Sequence, residues 1–178
     1  MNRNSLLSLL DAYQTSDPEE MKMQSEMKTF VTEHEDCFER TLKTGHVTAS
    51  GWVISEDRKS VLLMHHRKLN RWFQPGGHCD GDPDVLAVAR KEIEEETGLL
   101  NFRVDSDGIF DVDIHLIPAN PKDEAHYHYD VRFLFIADAN EPLIINSESR
   151  DLQWVPLSQI EQYNNSESIV RMARKTIS

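Results

Sequence analysis

The chain has 178 residues, with 19 Lys and Arg against 31 Asp and Glu, for a net charge of −12. That length fits one domain with a substantial core. The acidic balance, with no basic stripe to release counterions, argues against general binding to nucleic acid or to an anionic membrane. The two cysteines, Cys37 and Cys79, form no C-x-x-C pair, which points to reduced thiols in the cytoplasm and not to a disulfide framework. The run Leu6-Leu7-Ser8-Leu9-Leu10 is too short for a secretory signal and meets Asp11 at once, and no stretch approaches a membrane span.

Residues 1–43 read as an N-terminal helical extension to a domain over residues 44–178. Leu6, Leu9, Leu10 and Tyr13 make a short amphipathic set. Asp17-Pro18 is a strong helix start. Met23, Met27, Phe30, Val31, Cys37 and Phe38 mark the helix that follows, to about Leu42. The extension either packs on the domain or serves as a dimerisation arm, which leaves a homodimer open. Gly45 breaks the pattern.

From His46 the character changes to strands. Residues 46–55 and 59–68 are β-rich runs joined by the polar turn 55–58. His65 and His66 end the second run and face opposite ways, so at most one faces a site. The basic loop from Arg67 to Trp72 leads into Pro75-Gly76-Gly77. Arg67, Lys68 and Arg71 are candidate phosphate contacts or simply a solvated basic loop.

A helix follows, with Asp82 as its N-cap and Pro83 at N1. Leu86, Ala89 and Ile93 form its apolar stripe, and Gly98 stops it at C′. Glu92, Glu95 and Glu96 stand at i, i+3 and i+4, so their side chains are expected to converge. At about 100° per residue they lie roughly a quarter turn from the stripe. Glu94, Glu95 and Glu96 crowd the negative pole of the macrodipole, and each like-charge pair costs roughly 0.2–0.5 kcal/mol. Lys91 relieves Glu95 alone. Such a face makes sense as the receiver of a hard divalent cation, Mg²⁺ or Mn²⁺.

One or two strands are expected over residues 101–117, a polar loop over 118–125, a long strand over His126–Ala137 and a short one over Leu143–Ile145. Trp154–Leu157 leads into C-terminal helices. In the long strand, period 2 places His126, His128 and Asp130 on one face. Tyr127, Tyr129, Val131, Phe133 and Phe135 share the other, which is expected to be core. The histidine face is a zinc or iron site, a substrate- or base-positioning set, or a polar strand mouth. Strands, a helix, more strands and further helices give an α/β chain with a mixed sheet covered on both faces.

The segment Gly77–Leu99 resembles the Nudix box, G-x5-E-x7-R-E-U-x-E-E-x-G-U with U aliphatic. Gly77, Glu92, Ile93, Glu95, Glu96, Gly98 and Leu99 match it, while Pro83 and Lys91 replace its first glutamate and its arginine. The His-x-His-x-Asp strand and His46-Val47-Thr48-Ala49-Ser50 also look like those of a poorly characterised Nudix subgroup. The resemblance covers roughly residues 44–163. It implies a Nudix-like α/β/α sandwich and a Mg²⁺- or Mn²⁺-dependent pyrophosphohydrolase. Its substrate would be a small phosphorylated compound, a nucleoside diphosphate-X or a relative. Glu92, Glu95 and Glu96 would be catalytic and hold metal with the carbonyl of Gly76, while Arg67, Arg71, His126, His128 and Asp130 would bind substrate. The net charge repels such a substrate at long range, so metal and local cations have to overcome it. Two other readings stay open: a transition-metal hydrolase centred on His126, His128 and Asp130, and a non-catalytic Nudix-fold ligand sensor.

Overall fold

A computed structural model describes residues 2–121 and 123–177. In chain order its elements are α1 (Arg3–Ala12), α2 (Pro18–Glu33), β1 (Gly45–Ser55), β2 (Ser60–His66), β3 (Arg71–Phe73) and β4 (Gly76–His78). Then come α3 (Val85–Thr97), β5 (Phe102–Val104), β6 (Asp111–Ile117), β7 (His126–Ala137), β8 (Ser149–Pro156), a 3₁₀ turn (Leu157–Gln159), α4 (Ile160–Tyr163) and α5 (Glu167–Ile177).

The strands form one mixed sheet. β1 and β7 run parallel in unbroken register from Gly45↔Tyr127 to Ser55↔Ala137, and the other pairings are antiparallel. β1 holds β4 near its start and β2 at its end. β7 holds β6 along its first half and β5 at its end. Because side chains alternate, each of the two long strands serves two cores. Val47, Ala49, Val53, Val131, Phe133 and Phe135 join Leu6, Leu10, Met27, Val31 and Ile93 from the helices α1, α2 and α3. Trp52, Ile54, Leu134 and Ile136 join Ile169, Met172 and Ala173 from α5. The result is an α/β/α sandwich with two N-terminal helices preceding the sheet. Tyr13 and Glu20 bond through the phenol hydroxyl, and Phe30 stacks on Tyr129 at 3.9 Å between ring centroids. No helix among the described residues is long and apolar enough to cross a membrane.

Several sequence expectations are corrected. α2 stops at Glu33, short of Leu42. Cys37 and Phe38 are buried but lie in turns, where the Cys37 carbonyl accepts from Val47 N–H at 2.7 Å and the Phe38 carbonyl from Gly81 N–H at 3.0 Å. A continued helix would have kept those carbonyls for itself. α3 begins at Val85, capped by Asp84, which accepts from Ala87 N–H at 3.0 Å. Asp82 instead accepts from Asp84 N–H at 2.9 Å, a local Asx turn that shapes the lead-in. Its buried apolar residues are Val85, Val88, Ala89 and Ile93, with Leu86 only partly covered. Leu143–Ile145 is no strand, since Ile144 N–H bonds the Thr97 carbonyl at 2.8 Å and closes the end of α3. β8 pairs along most of β2, and its irregular burial hid it from a period-2 search. Tyr127 is 45% exposed at the strand mouth, so the core face of β7 starts at Tyr129.

Candidate active site

Three residues of β4 organise the site. β4 lies antiparallel to β1 with Gly76 opposite Ser50, Gly77 opposite Ala49 and His78 opposite Thr48. A Cβ on Gly77 would sit 2.6 Å from the Glu92 carboxyl carbon, so the bare α-carbon is the surface on which that carboxylate rests. Gly76 N–H donates to Glu96 Oε2 at 2.9 Å. Gly98, at φ 74°, ends α3 in the left-handed region and fixes the last turn that carries Glu96.

Burial and like charge act together on the acids at this junction. Glu96 is 6% exposed. Burial pushes its carboxyl up to about 8, with Glu92 and Glu148 adding to the push and Gly76 N–H opposing it. Burial, then the charge of Glu95, raises Glu92 as well, and Glu148 contributes there too. Glu148 belongs to the loop before β8, where its N–H bonds Asn146 Oδ1 at 2.9 Å and its carbonyl accepts from Arg67 N–H at 2.8 Å. No motif marked it in the sequence. Glu95 departs from the expected convergence. It is exposed and lies 3.6 Å from Lys91 Nζ, whose charge also partly relieves Glu92.

Across the sheet a polar row runs over three strands. β1, β7 and β6 align His46, His128 and His115, then Thr48, Asp130 and Asp113, then Ser50, Arg132 and Asp111. Asp130 accepts from Thr48 Oγ1 at 3.0 Å, Ser50 Oγ at 2.9 Å and Arg132 Nε at 2.8 Å. Arg132 also reaches Asp111 at 3.2 Å and Asp113 at 3.1 Å. Arg171 and Lys175 of α5 close the lattice on Asp111 at 2.8 and 3.1 Å. Both oxygens of Asp130 are therefore engaged inside the protein, while the His126 and His128 ring centroids lie 5.2 Å apart. The gathering instead consists of His46, His78 and His128, whose ring nitrogens, one from each, lie within 4.8 Å of one another. His46 and His78 were not singled out as ligands by the sequence, because their proximity depends on strand register.

The remaining candidates make their own local contacts. His126 Nδ1 lies 2.8 Å from the Glu124 carbonyl. Arg67 is exposed and donates to the Ser149 carbonyl at 3.0 Å. Arg71, also exposed, donates to Asn164 Oδ1 at 3.3 Å. His65 stacks on Trp72, and His66 Nδ1 accepts from Leu69 N–H at 3.2 Å, so both serve the local turn.

A mixed sheet between helices, with a glycine strand docked on a glutamate-bearing helix, defines the class: the α/β/α sandwich of pyrophosphohydrolases. The family model described as NUDIX domain matches residues 44–174, and the chain belongs to the Nudix family. A Xenopus laevis protein, nucleoside diphosphate-linked moiety X motif 6, is 40% identical over 58 residues, which is 32% of this chain but 27% of that protein. The match thus spans about a quarter of that relative's length. Among solved structures, a C. elegans Ap4A hydrolase in a binary complex superposes with TM-score 0.60 at 16% identity, covering 72% of this chain and 93% of that one. The E. coli dihydroneopterin triphosphate pyrophosphohydrolase gives 0.57 at 14% identity, covering 72% and 92%. The NUDIX domain of Shewanella oneidensis NrtR complexed with ADP ribose gives 0.56 at 15%, covering 84% and 97%. At these identities the likeness is one of fold.

Proposed function

We propose that the protein is a Mg²⁺- or Mn²⁺-dependent hydrolase that cleaves the diphosphate linkage of a nucleoside diphosphate-X or a related compound. One observation carries the reading: two acids, Glu92 and Glu96, are pressed onto Gly77 and Gly76 at a junction that raises both. A buried carboxylate beside a half-buried one, both raised, fits a hard divalent ion. Glu92 and Glu96 would hold it with the Gly76 carbonyl, and Glu95 would join on leaving Lys91. Bound there, the metal supplies charge neutralisation of the diphosphate and a more acidic attacking water. Glu148, whose charge reaches both acids, would be a candidate to take a proton from the attacking water. Arg67 and Arg71, exposed on the turn before β4, would meet the phosphates. The relatives' names, with Ap4A, ADP ribose and nucleoside diphosphate-X among them, support a nucleotide-linked substrate. The free, buried thiols Cys37 and Cys79 suit a reducing cytoplasm.

The test is a release assay over nucleotide sugars, dinucleoside polyphosphates, nucleoside triphosphates, coenzyme A and prenyl diphosphates, each with Mg²⁺ and with Mn²⁺. Metal-dependent release from at least one nucleotide-linked compound is expected. Saturable binding without turnover would make the protein a sensor instead.

A further inference from the structure

Five of the eight histidines gather at the mouth of β1 and β7. Ring centroids of His46 lie 4.9 Å from His78, 4.8 Å from His128 and 5.1 Å from His126. His115 approaches His128 at 5.4 Å. Nothing in the diphosphate reading uses His46 or His78, and this cluster has no carboxylate among its three innermost members.

Two of those three imidazoles have buried nitrogens without a protein partner. His46 is 2% exposed, yet neither Nδ1 nor Nε2 makes a hydrogen bond, and Nε2 of His128 is likewise buried and unbonded. Leaving such groups unsatisfied is costly, and a native fold retains them for a reason such as an ion. The outer rings are better supplied. The Glu124 carbonyl lies 2.8 Å from His126 Nδ1, placed to accept a hydrogen bond from it. Asp113 lies 2.9 Å from His115 Nδ1, and Arg132 holds Asp113 in turn. Such carbonyl and carboxylate backing is what orients metal-binding histidines.

We propose that His46, His78 and His128 form a binding site for a borderline transition-metal cation such as Zn²⁺, separate from the glutamate site and backed by His126. An all-imidazole set selects such ions over Mg²⁺. Nitrogen–metal bonds of about 2.1 Å in a tetrahedron require nitrogens roughly 3.4 Å apart, so nitrogens within 4.8 Å need to close by at most about 1.4 Å. Burial, reinforced by the neighbouring rings, lowers the basicity of His46 to about 4, of His128 to about 2 and of His78 below its ordinary value. The shift is toward the neutral form, the one that ligation requires. The three come from β1, β4 and β7, so one cation pins the glycine strand to the parallel pair. Alternation places His78 on the opposite face of β4 from Gly77, whose other neighbour is Glu92. The site thus braces the surface on which Glu92 rests.

The experiment uses the full chain with any polyhistidine tag removed. After dialysis against Zn²⁺ and then metal-free buffer, elemental analysis should find about one zinc per chain, and Co²⁺ should give a visible absorption band of a nitrogen-ligated site. Zn²⁺ should raise the melting temperature where equal Mg²⁺ does not. His78→Gln, at a half-buried position that tolerates change, should weaken Zn²⁺ binding at least about tenfold, and His46→Gln with His128→Gln should abolish it. Glu92→Gln with Glu96→Gln should keep the zinc, which separates this proposal from the fate of the diphosphate reading. No retained zinc and no Co²⁺ band in the folded wild type would overturn it. So would zinc lost with the glutamates and kept by His78→Gln.

Discussion

Arg132 Nε donates to Asp130 Oδ2 at 2.8 Å, two residues back along the same strand. This contact decides the character of the strand. It turns Asp130 from a prospective ligand into one corner of a lattice that also contains Asp111, Asp113, Arg171, Lys175 and Glu20. The lattice ties α2 and α5 to β6 and β7. Arg132 is 3% exposed, and its removal would leave three carboxylates without their shared cation. Arg132→Met is therefore expected to cost about 3–5 kcal/mol in urea unfolding. A loss below about 1 kcal/mol would mean that the lattice contributes specificity and little stability.

The same lattice sets an acid limit. Burial alone would raise Asp111 and Asp113, but their ion pairs with Arg132 and Arg171 outweigh it and hold both below the ordinary carboxylate range. A depressed folded value contributes stability that is present above the unfolded pKa, near 3.8, and lost as pH falls through the folded one. Unfolding free energy should therefore drop steeply between about pH 4 and pH 2, and more shallowly in Asp113→Asn. Equal slopes in the two proteins would exclude Asp113 as a source.

Glu96 has the opposite sign. Its folded value is raised, from 4.5 to about 8, so its contribution is full below 4.5 and is lost as pH rises through about 8. A cation that accepts the carboxylate cancels this loss. The gain in melting temperature from Mg²⁺ over EDTA should thus be larger at about pH 8 than at about pH 6, and Glu96→Gln should remove the difference. An equal gain at both values would place the metal elsewhere.

How much of this was legible in the sequence depends on the range of the interaction. α3 and its stop at Gly98 follow from local spacing and from a glycine conformation, and both were readable. The long strand His126–Ala137 was readable for the same reason, since alternation is a local signal. The histidine trio was not, because His46, His78 and His128 meet only through the register of β1 with β4 and β7. Arg132 lay on the right face of the strand, but a lone arginine in an apolar run announces nothing until Asp111 and Asp113 arrive from β6. Glu148 sits in a loop whose path is set by Asn146 and Arg67, contacts without a sequence period. The three-glutamate face was legible as a pattern, but the side chains divide: Lys91 draws Glu95 outward while the glycine strand takes the other two.

That division predicts unequal mutants. Glu96→Gln keeps the shape but weakens the charge offered to a cation, and turnover should fall at least about a hundredfold. Glu95→Gln alters an exposed side chain that must first leave Lys91, so a smaller loss is expected. Unchanged turnover in both, with folding intact, would remove the helix from the active site.

Gly77→Ala is the sharpest probe of the junction. The added methyl would lie 2.6–2.7 Å from the carboxyl group of Glu92. The atoms it meets are the far end of a flexible side chain, so the fold can yield by swinging that group away. Stability should change by no more than about 1 kcal/mol. The carboxylate would then be misplaced by about an ångström, a shift that costs roughly a hundredfold in rate where geometry is tight. The expected result is a near-normal melting temperature with a large loss of metal-dependent hydrolysis and weaker Mg²⁺ binding. Normal activity would show that Glu92 does not act from the position it holds over Gly77, because the variant removes that position while leaving the residue itself in place.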